Sequence, residues 1–343
     1  MTNPLLGEGW VYPASAAERD RWVLAQRPDA ALEARKDLDP WRPAGFLREE
    51  EPDESGTIAP VTTIFLTNRE CPWRCVECDL WRNTLSEPTP AGAIPAQIEY
   101  ALEKIGGSGA QWGGGGRGAI KLYNSGSFFD PRAVPPEDDL AIAEAVRGFD
   151  RVIVECHPAL IGDAVLRFRD LLNAELEVAM GLETANPEVL EKLNKRLTLG
   201  QFRGAAEFLR RHGIALRVFV LVQPPFEREA LLWAERSVDF GFDCGATAAT
   251  LIPTRVGNGA MEALAARGDF SPPALATLEG AMDYGIGLGR GRVFADVWDL
   301  PRAFDCSGCC EARVARLRAM NLSQAVAPRI GCEECGGAVE PGC

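Results

Sequence analysis

Apolar and polar positions along this chain switch between two periods. Short apolar runs at 62–67, 119–124, 151–155, 176–182, 214–222 and 246–252 read as strands, and the longer stretches between them read as helices. The run 214–222 is apolar at nearly every position, the mark of a strand covered on both faces. Helices are expected over 95–105, 138–146, 159–172 and 227–240. Asn186-Pro187 opens another, and Thr198 a sixth that stops at Gly213. Asn and Thr side chains satisfy the first free N–H groups of a helix, and proline fits its first turn. Six strands separated by helices imply a parallel α/β sheet with right-handed crossovers. Periodicity leaves two architectures open, a curled six-unit βα partial barrel and an open doubly wound sheet.

The flanks follow other patterns. Residues 1–57 read as an N-terminal lead-in, with a short helix over 15–26 capped by Ser15 and an acidic, proline-containing linker over 48–55. The strand–helix core occupies 58–255. Within it, the glycine-rich stretch 106–118 is expected to be a connector, because it lacks the Gly-Lys-Ser/Thr ending and the following helix of a phosphate-binding loop. The C-terminal extension, 256–343, is irregular, with a helix capped by Ser271-Pro272 and a glycine-rich stretch at 285–291.

Charge and composition narrow the function. The 343 residues include 36 Lys+Arg against 49 Asp+Glu, a net charge of −13. Nucleic-acid affinity comes largely from Lys and Arg on phosphates, so strong unaided binding of nucleic acid is not expected, while a local basic patch or a basic partner stays compatible. No apolar run is long enough for a membrane span. The start, Met1-Thr2-Asn3-Pro4-Leu5-Leu6, lacks the features of a signal peptide. Eleven cysteines in that context point to metal or redox use in a reducing cytoplasm, not to a disulfide framework.

Three of those cysteines lie together in Cys71-Pro72-Trp73-Arg74-Cys75-Val76-Glu77-Cys78, directly after the first strand. Thiols at C-x3-C-x2-C spacing can face a single inorganic cluster, but they are one short of a closed four-thiolate site. A [4Fe–4S] cluster held there would leave one iron open to a small molecule. Half of a structural zinc site, completed from a distance, is the alternative, although zinc knuckles favour C-x2-C pairs. The spacing resembles the signature of the radical S-adenosylmethionine (SAM) superfamily. That resemblance implies the partial barrel, a [4Fe–4S] cluster on Cys71, Cys75 and Cys78, and SAM chelated through its amino and carboxylate groups by the open iron. It further implies that an electron, delivered by an external donor, splits SAM to a 5′-deoxyadenosyl radical that takes a hydrogen from substrate. Such chemistry belongs to the cofactors, and the protein positions them. One position departs from the pattern: the residue before the third cysteine is usually aromatic in the superfamily, and here it is Glu77.

Ligands of parallel α/β folds gather at the carboxyl ends of strands. Here the second strand ends in Asn124-Ser125-Gly126-Ser127, the third in Glu155 and the fourth in Gly181-Leu182-Glu183-Thr184. The run from Gly181 through Asn194-Lys195-Arg196 closely resembles a segment shared by the Elongator catalytic subunit, the methylthiotransferases and the oxygen-independent coproporphyrinogen oxidase. By that resemblance Ser125, Gly126 and Ser127 stand where a glycine-rich motif faces the SAM amino group, and Glu155 and Glu183 contact SAM. Lys195 meets the SAM carboxylate, with Arg196 as the alternative cation. An acidic ribose contact found in some members would fall on Val218, so none is carried over.

Ser125-Gly126-Ser127-Phe128, Val154-Glu155, Gly181-Leu182-Glu183, Pro224-Pro225-Phe226 and Asn321-Leu322-Ser323-Gln324 are similar to the archaeosine-synthesis radical SAM protein and its bacterial relatives. The similarity runs over roughly 60–335. It implies a modified nucleoside in transfer RNA as substrate, a lysine-bearing 7-deazaguanine in the archaeal relative, together with a partner protein.

The extension carries a second cysteine group. Cys306-Ser307-Gly308-Cys309-Cys310 and Cys332-Glu333-Glu334-Cys335 form two C-x2-C pairs around an arginine-rich helix over 311–320. Cys306, Cys309, Cys332 and Cys335 are expected to bind zinc or a second iron–sulfur cluster, pinning a small tail, with Cys310 and Cys343 as spare thiols. Arg313, Arg316 and Arg318 are expected on a solvated helix face, with RNA phosphate as the other reading. Cys156 and Cys244 fit ordinary core positions, and His157 and His212 lack the spacing of a histidine-based hydrolase. A reading from another class is a non-catalytic, zinc-stapled, RNA-associated module, which would require zinc in the first cysteine loop.

Overall fold

The apolar runs become strands of one sheet. In the computed structural model, which describes residues 11–106, 118–298, 300, 306 and 308–332, that sheet has eight strands. They are β1 (Gly45–Pro52), β2 (Ile58–Phe65), β3 (Ala119–Tyr123), β4 (Arg151–Glu155), β5 (Glu175–Glu183), β6 (Ala215–Val222), β7 (Ala248–Pro253) and β8 (Arg292–Ala295). The helices are α1 (Ala16–Ala25), α2 (Asp29–Ala34), α3 (Ala93–Gly106), α4 (Asp139–Val146), α5 (Asp163–Leu171), α6 (Pro187–Lys192), α7 (Leu199–Arg211), α8 (Ala230–Asp243), α9 (Ala260–Ala265), α10 (Leu275–Gly287) and α11 (Cys310–Ser323). Ser15, Asn186 and Thr198 cap α1, α6 and α7 as their sequence positions predict, whereas α10 has Ala274 and not Ser271 at its N-cap.

Strands β2 to β7 are the six expected ones, adjacent in chain order and parallel throughout. An order without reversal means that every crossover turns the same way and the helices collect on one face. The sheet therefore curls into a half-barrel, and the doubly wound alternative falls. Alternate residues point to opposite faces. Ile64, Ile120, Leu122, Val154, Val178, Val218 and Val220 are fully buried in the main core beneath the helices. Their neighbours Phe65, Lys121, Tyr123, Glu177, Arg217 and Phe219 face the lumen. Phe65, Tyr123 and Phe219 form a ring layer there, with centroids 6.4 and 6.0 Å apart.

The acidic stretch read as a linker is instead β1, antiparallel to β2. Its glutamates look like solvent-facing residues in the sequence, but two of them point into the barrel floor and find cations. Lys121 Nζ sits 2.6 Å from Glu49 and 2.5 Å from Glu51, and Arg217 reaches Glu51 at 2.8 Å and Glu177 at 2.6 Å. Arg151 and Arg292 each approach Glu177 at 3.3 Å. Burial alone would raise Glu51, yet Arg217 and Lys121 hold it well below the usual carboxylate range.

Strand β8 extends the sheet beyond the six, and its outer edge is closed by side chains. Asn321 Oδ1 accepts from the Ala295 N–H at 2.8 Å while Asn321 Nδ2 donates to Ala295 O at 2.9 Å. Gln324 does the same for Val293, at 2.7 and 3.0 Å. Two carboxamides thus reproduce the donor–acceptor pairs of a missing neighbour strand, which covers an edge that would otherwise template pairing with another chain. Their helix, α11, packs against both β8 and β1 and so spans the two free edges of the half-barrel. Two of its three arginines leave the expected solvated row: Arg313 pairs with Glu279 at 2.5 Å and Arg316 with Asp283 at 2.6 Å, while Arg318 is exposed as expected.

Candidate functional site

The cysteine loop follows β2 and is held from four sides. Gln97 on α3, fully buried, accepts from Thr67 N–H at 2.8 Å and donates to Thr67 O at 2.7 Å, fixing the chain before the loop. Glu70 gathers Arg27 at 2.6 Å, Arg35 at 2.9 Å and Arg74 at 3.3 Å, which ties the lead-in helices to the loop. Asn194 donates to Arg74 O at 2.9 Å, and Asn258 to Val76 O at 2.6 Å and Cys78 O at 3.1 Å. Apart from Glu70, which directly precedes Cys71, the holders come from elsewhere in the chain. Gln97 left a trace, as one polar residue on the apolar face Ile94, Ile98, Ala101.

The residues singled out at the strand ends converge on this loop. Gly126 packs so closely that a Cβ there would lie 3.3 Å from Cys71 Cβ. Glu155 orders that turn from below, its carboxylate accepting from the Asn124 N–H at 3.1 Å, with the Ser125 and Gly126 N–H groups also directed at it. Burial pushes Glu155 up to about 7 in spite of those donors. Ser127 Oγ accepts from the His157 N–H at 2.9 Å. Glu183 and Lys195 form a buried ion pair 2.5 Å apart. A side chain at Gly181 would displace the charged ends of that pair. Burial works against the Lys195 charge, but Glu183 and then Cys75 keep it raised above the ordinary lysine range. Arg196 turns away to Asp20 on α1, so of the two candidate cations Lys195 is the one at the site.

The backbone is strained at the same rim. Ser125, Glu183, Asn194 and Arg196 all take left-handed conformations, with φ of 53°, 66°, 59° and 58°. None is glycine, and each costs about 1–3 kcal/mol, which the surrounding contacts have to offset. At Glu183 a register shift between β5 and β6 re-aims the side chain toward Lys195. Trp73 stacks on His157 with centroids 3.7 Å apart, and His157 Nε2 meets Lys195 O at 3.0 Å. Burial and the Lys195 charge drive His157 down to about 3, so it is a neutral wall of the site. Its role was invisible in the sequence because its partners come from other loops.

The donor set suits the cofactors that the sequence implies. Burial raises Cys71 to about 11 and lifts Cys75 and Cys78 further, so these sulfurs need a cationic centre to become thiolates. Beside them the Asn124 carboxamide is fully buried with neither end hydrogen-bonded, and Glu77 Oε2 is likewise unpartnered. Unsatisfied polar groups of this kind mark a place where a polar ligand belongs.

The tail cysteines form a separate group. Cys306, Cys309 and Cys332 bring their sulfurs within 4.8 Å of one another, while Cys310 packs into the main core with Val314 and Leu317. Cys335 and Cys343, like the glycine run at 113–116, lie outside the described residues. Cys156 and Cys244 are buried, as expected. Among the described residues no helix is long and apolar enough to cross a membrane.

Comparison with known proteins gives the following. No protein-family model matches the chain. An uncharacterized protein of Methanocaldococcus jannaschii is 27% identical over 267 residues, 74% of this chain and 72% of that protein. The archaeosine synthase subunit beta of Methanosarcina acetivorans is 27% identical over 233 residues, so this chain spans 65% of that relative's length. Among solved structures, the archaeal Elp3 of Methanocaldococcus infernus superposes with a TM-score of 0.51 at 15% identity, over 67% of this chain and 59% of that one. The Elongator-like core expected from residues 181–196 is thus present as a fold, and the relatives are consistent with the radical SAM superfamily and the archaeosine-type resemblance.

Proposed function

We propose that this chain is a radical SAM enzyme in which Cys71, Cys75 and Cys78 hold a [4Fe–4S] cluster, and Ser125, Gly126, Ser127, Glu155, Glu183 and Lys195 surround SAM. The observation that carries this reading is the buried Lys195–Glu183 pair, 2.5 Å apart, beside the three thiols. The amino-acid end of SAM is a zwitterion, and a paired ammonium and carboxylate can divide to meet it, Lys195 taking the carboxylate and Glu183 the ammonium. Glu155 keeps the 125–127 turn in shape, and the Trp73–His157 stack keeps water from that side of the loop. A cluster bound at these three cysteines would supply, from an external donor, the electron that splits SAM for hydrogen abstraction from substrate.

The substrate class that fits best is a modified nucleoside in transfer RNA, acted on with a partner subunit. The name carried by the Methanosarcina relative, archaeosine synthase subunit beta, supports a nucleoside-forming reaction and a partner subunit. The net charge of −13 favours the partner as the element that grips the RNA. Reduced thiols suit a cytoplasmic setting.

The test is anaerobic. After cluster reconstitution, dithionite and SAM are added and 5′-deoxyadenosine is measured beside a Cys75→Ala control. Product that disappears in the control is expected from a brown, iron-loaded protein. A colourless protein with zinc in the first loop would overturn the reading and leave the zinc-stapled module. Transfer RNA nucleosides that stay unchanged with every added partner would remove the substrate class alone.

A further inference from the structure

We propose that Cys306, Cys309 and Cys332 hold a single tetrahedral metal ion, zinc, and that this ion fixes the helix whose carboxamides close the sheet edge at β8. Distance separates one ion from a cluster. Thiolates placed about 2.3 Å from one tetrahedral zinc are separated by about 3.8 Å. Cys306 Sγ and Cys332 Sγ are 3.7 Å apart, and all three sulfurs lie within 4.8 Å. A cluster spreads its ligands over several iron atoms, and the loop cysteines of this same chain are accordingly not gathered within that span. A disulfide would need a sulfur separation of about 2.05 Å. Soft thiolates close enough to share one ion suit zinc, and no histidine or carboxylate joins the group among the described residues.

Position gives the ion its task. Cys309 is the N-cap of α11, Cys306 lies just before it, and Cys332 is on the chain returning past the far end of the helix. One ion therefore ties the strand of chain leaving α11 to the start of the same helix. Between these anchor points stand Asn321 and Gln324, which replace a ninth strand along β8. Cys310, adjacent to Cys309 in sequence, is excluded as a ligand by its place in the core.

Metal analysis of two variants tests the assignment independently of SAM chemistry. In a Cys71→Ala/Cys75→Ala/Cys78→Ala triple variant, which cannot build the loop cluster, the expected content is about one zinc per chain and no iron. In a Cys306→Ser/Cys332→Ser variant the zinc is lost and the loop iron stays. Several irons per chain in the triple variant would make the tail site a second cluster, and absence of both metals with two fewer titratable thiols would make it a disulfide. For the helix, amide exchange over residues 292–296 should accelerate at least about tenfold when a chelator removes the zinc, with residues 62–66 unchanged. Equal exchange before and after removal would overturn the proposed task even with zinc present.

Discussion

Replacing Arg217 by Met keeps most of the volume and removes one charge from the barrel floor. Arg217 is 1% exposed and contacts Glu177 at 2.6 Å and Glu51 at 2.8 Å. Each contact of that kind is worth about 4 kcal/mol at an effective dielectric near 20. Part of the loss is covered, because Lys121 stays on Glu51 and Arg151 and Arg292 stay on Glu177. Removing one member of a buried ionic group costs about 3–5 kcal/mol, and that is the expected loss at pH 7. The pH dependence carries the sharper information. In the native protein Glu51 and Glu177 are held below their ordinary range, so they stabilise the fold above the unfolded pKa and lose that contribution as pH falls. In the variant both carboxylates keep other cations but lose their largest compensating charge, so they move back toward the ordinary carboxylate range and have less stabilisation to lose in acid. The gap between variant and parent in urea unfolding should therefore stay level near neutral pH and shrink as pH falls below the ordinary carboxylate value of 4.5. A loss below about 1 kcal/mol, or a gap that ignores pH, would refute the buried-floor argument.

Other consequences are as direct. Lys195→Met should lower SAM affinity by about tenfold or more while iron content stays at the parent level, since a charge-assisted contact is lost and no cluster ligand is touched; calorimetric titration with SAM reads it. Asn321→Ala and Gln324→Ala each remove two backbone-directed bonds from β8 and should each cost about 1–3 kcal/mol by denaturant unfolding, with self-association appearing in light scattering as the edge opens. Burial raises Glu155 to about 7, so its contribution favours the fold as pH falls through 7 and is lost as pH rises. Glu155→Gln should flatten that part of the stability profile, and a profile unchanged by the substitution would count against it.

The parts of this molecule that could be read from its sequence are those fixed by local pattern. Strands β2 to β7 announce themselves as apolar runs because their outer faces lie under helices. The cysteine loop is legible because three thiols must meet within eight residues. What stayed hidden depends on partners far away in the chain. Glu49 and Glu51 read as a solvated linker until Lys121 and Arg217 are placed beside them. Arg313 and Arg316 look like an exposed row until α10 brings Glu279 and Asp283 against them. Asn321 and Gln324 were visible as part of a family-like motif, yet their use as a substitute strand requires β8, a four-residue strand behind a glycine-rich stretch that periodicity does not detect. His157 and Gln97 are single polar residues in apolar surroundings, a signal that says buried without saying against what.

The lumen of the half-barrel is a blind well. Its floor is sealed by ionic contacts, and its open flank is spanned by α11, which leaves the rim as the way in among the described residues. Along β5 the wall runs about 20 Å from Glu177 on the floor to Glu183 at the rim at the usual rise per residue, and the Phe65, Tyr123 and Phe219 layer crosses the lumen at the level of Gly181, below that rim. A double helix is far too broad to enter the mouth above that layer. Any macromolecule served by this site must therefore offer its reacting group on a slender projection, a single unstacked nucleotide for a nucleic acid, and the bulk of such a substrate has to be carried outside, on the rim or on another subunit.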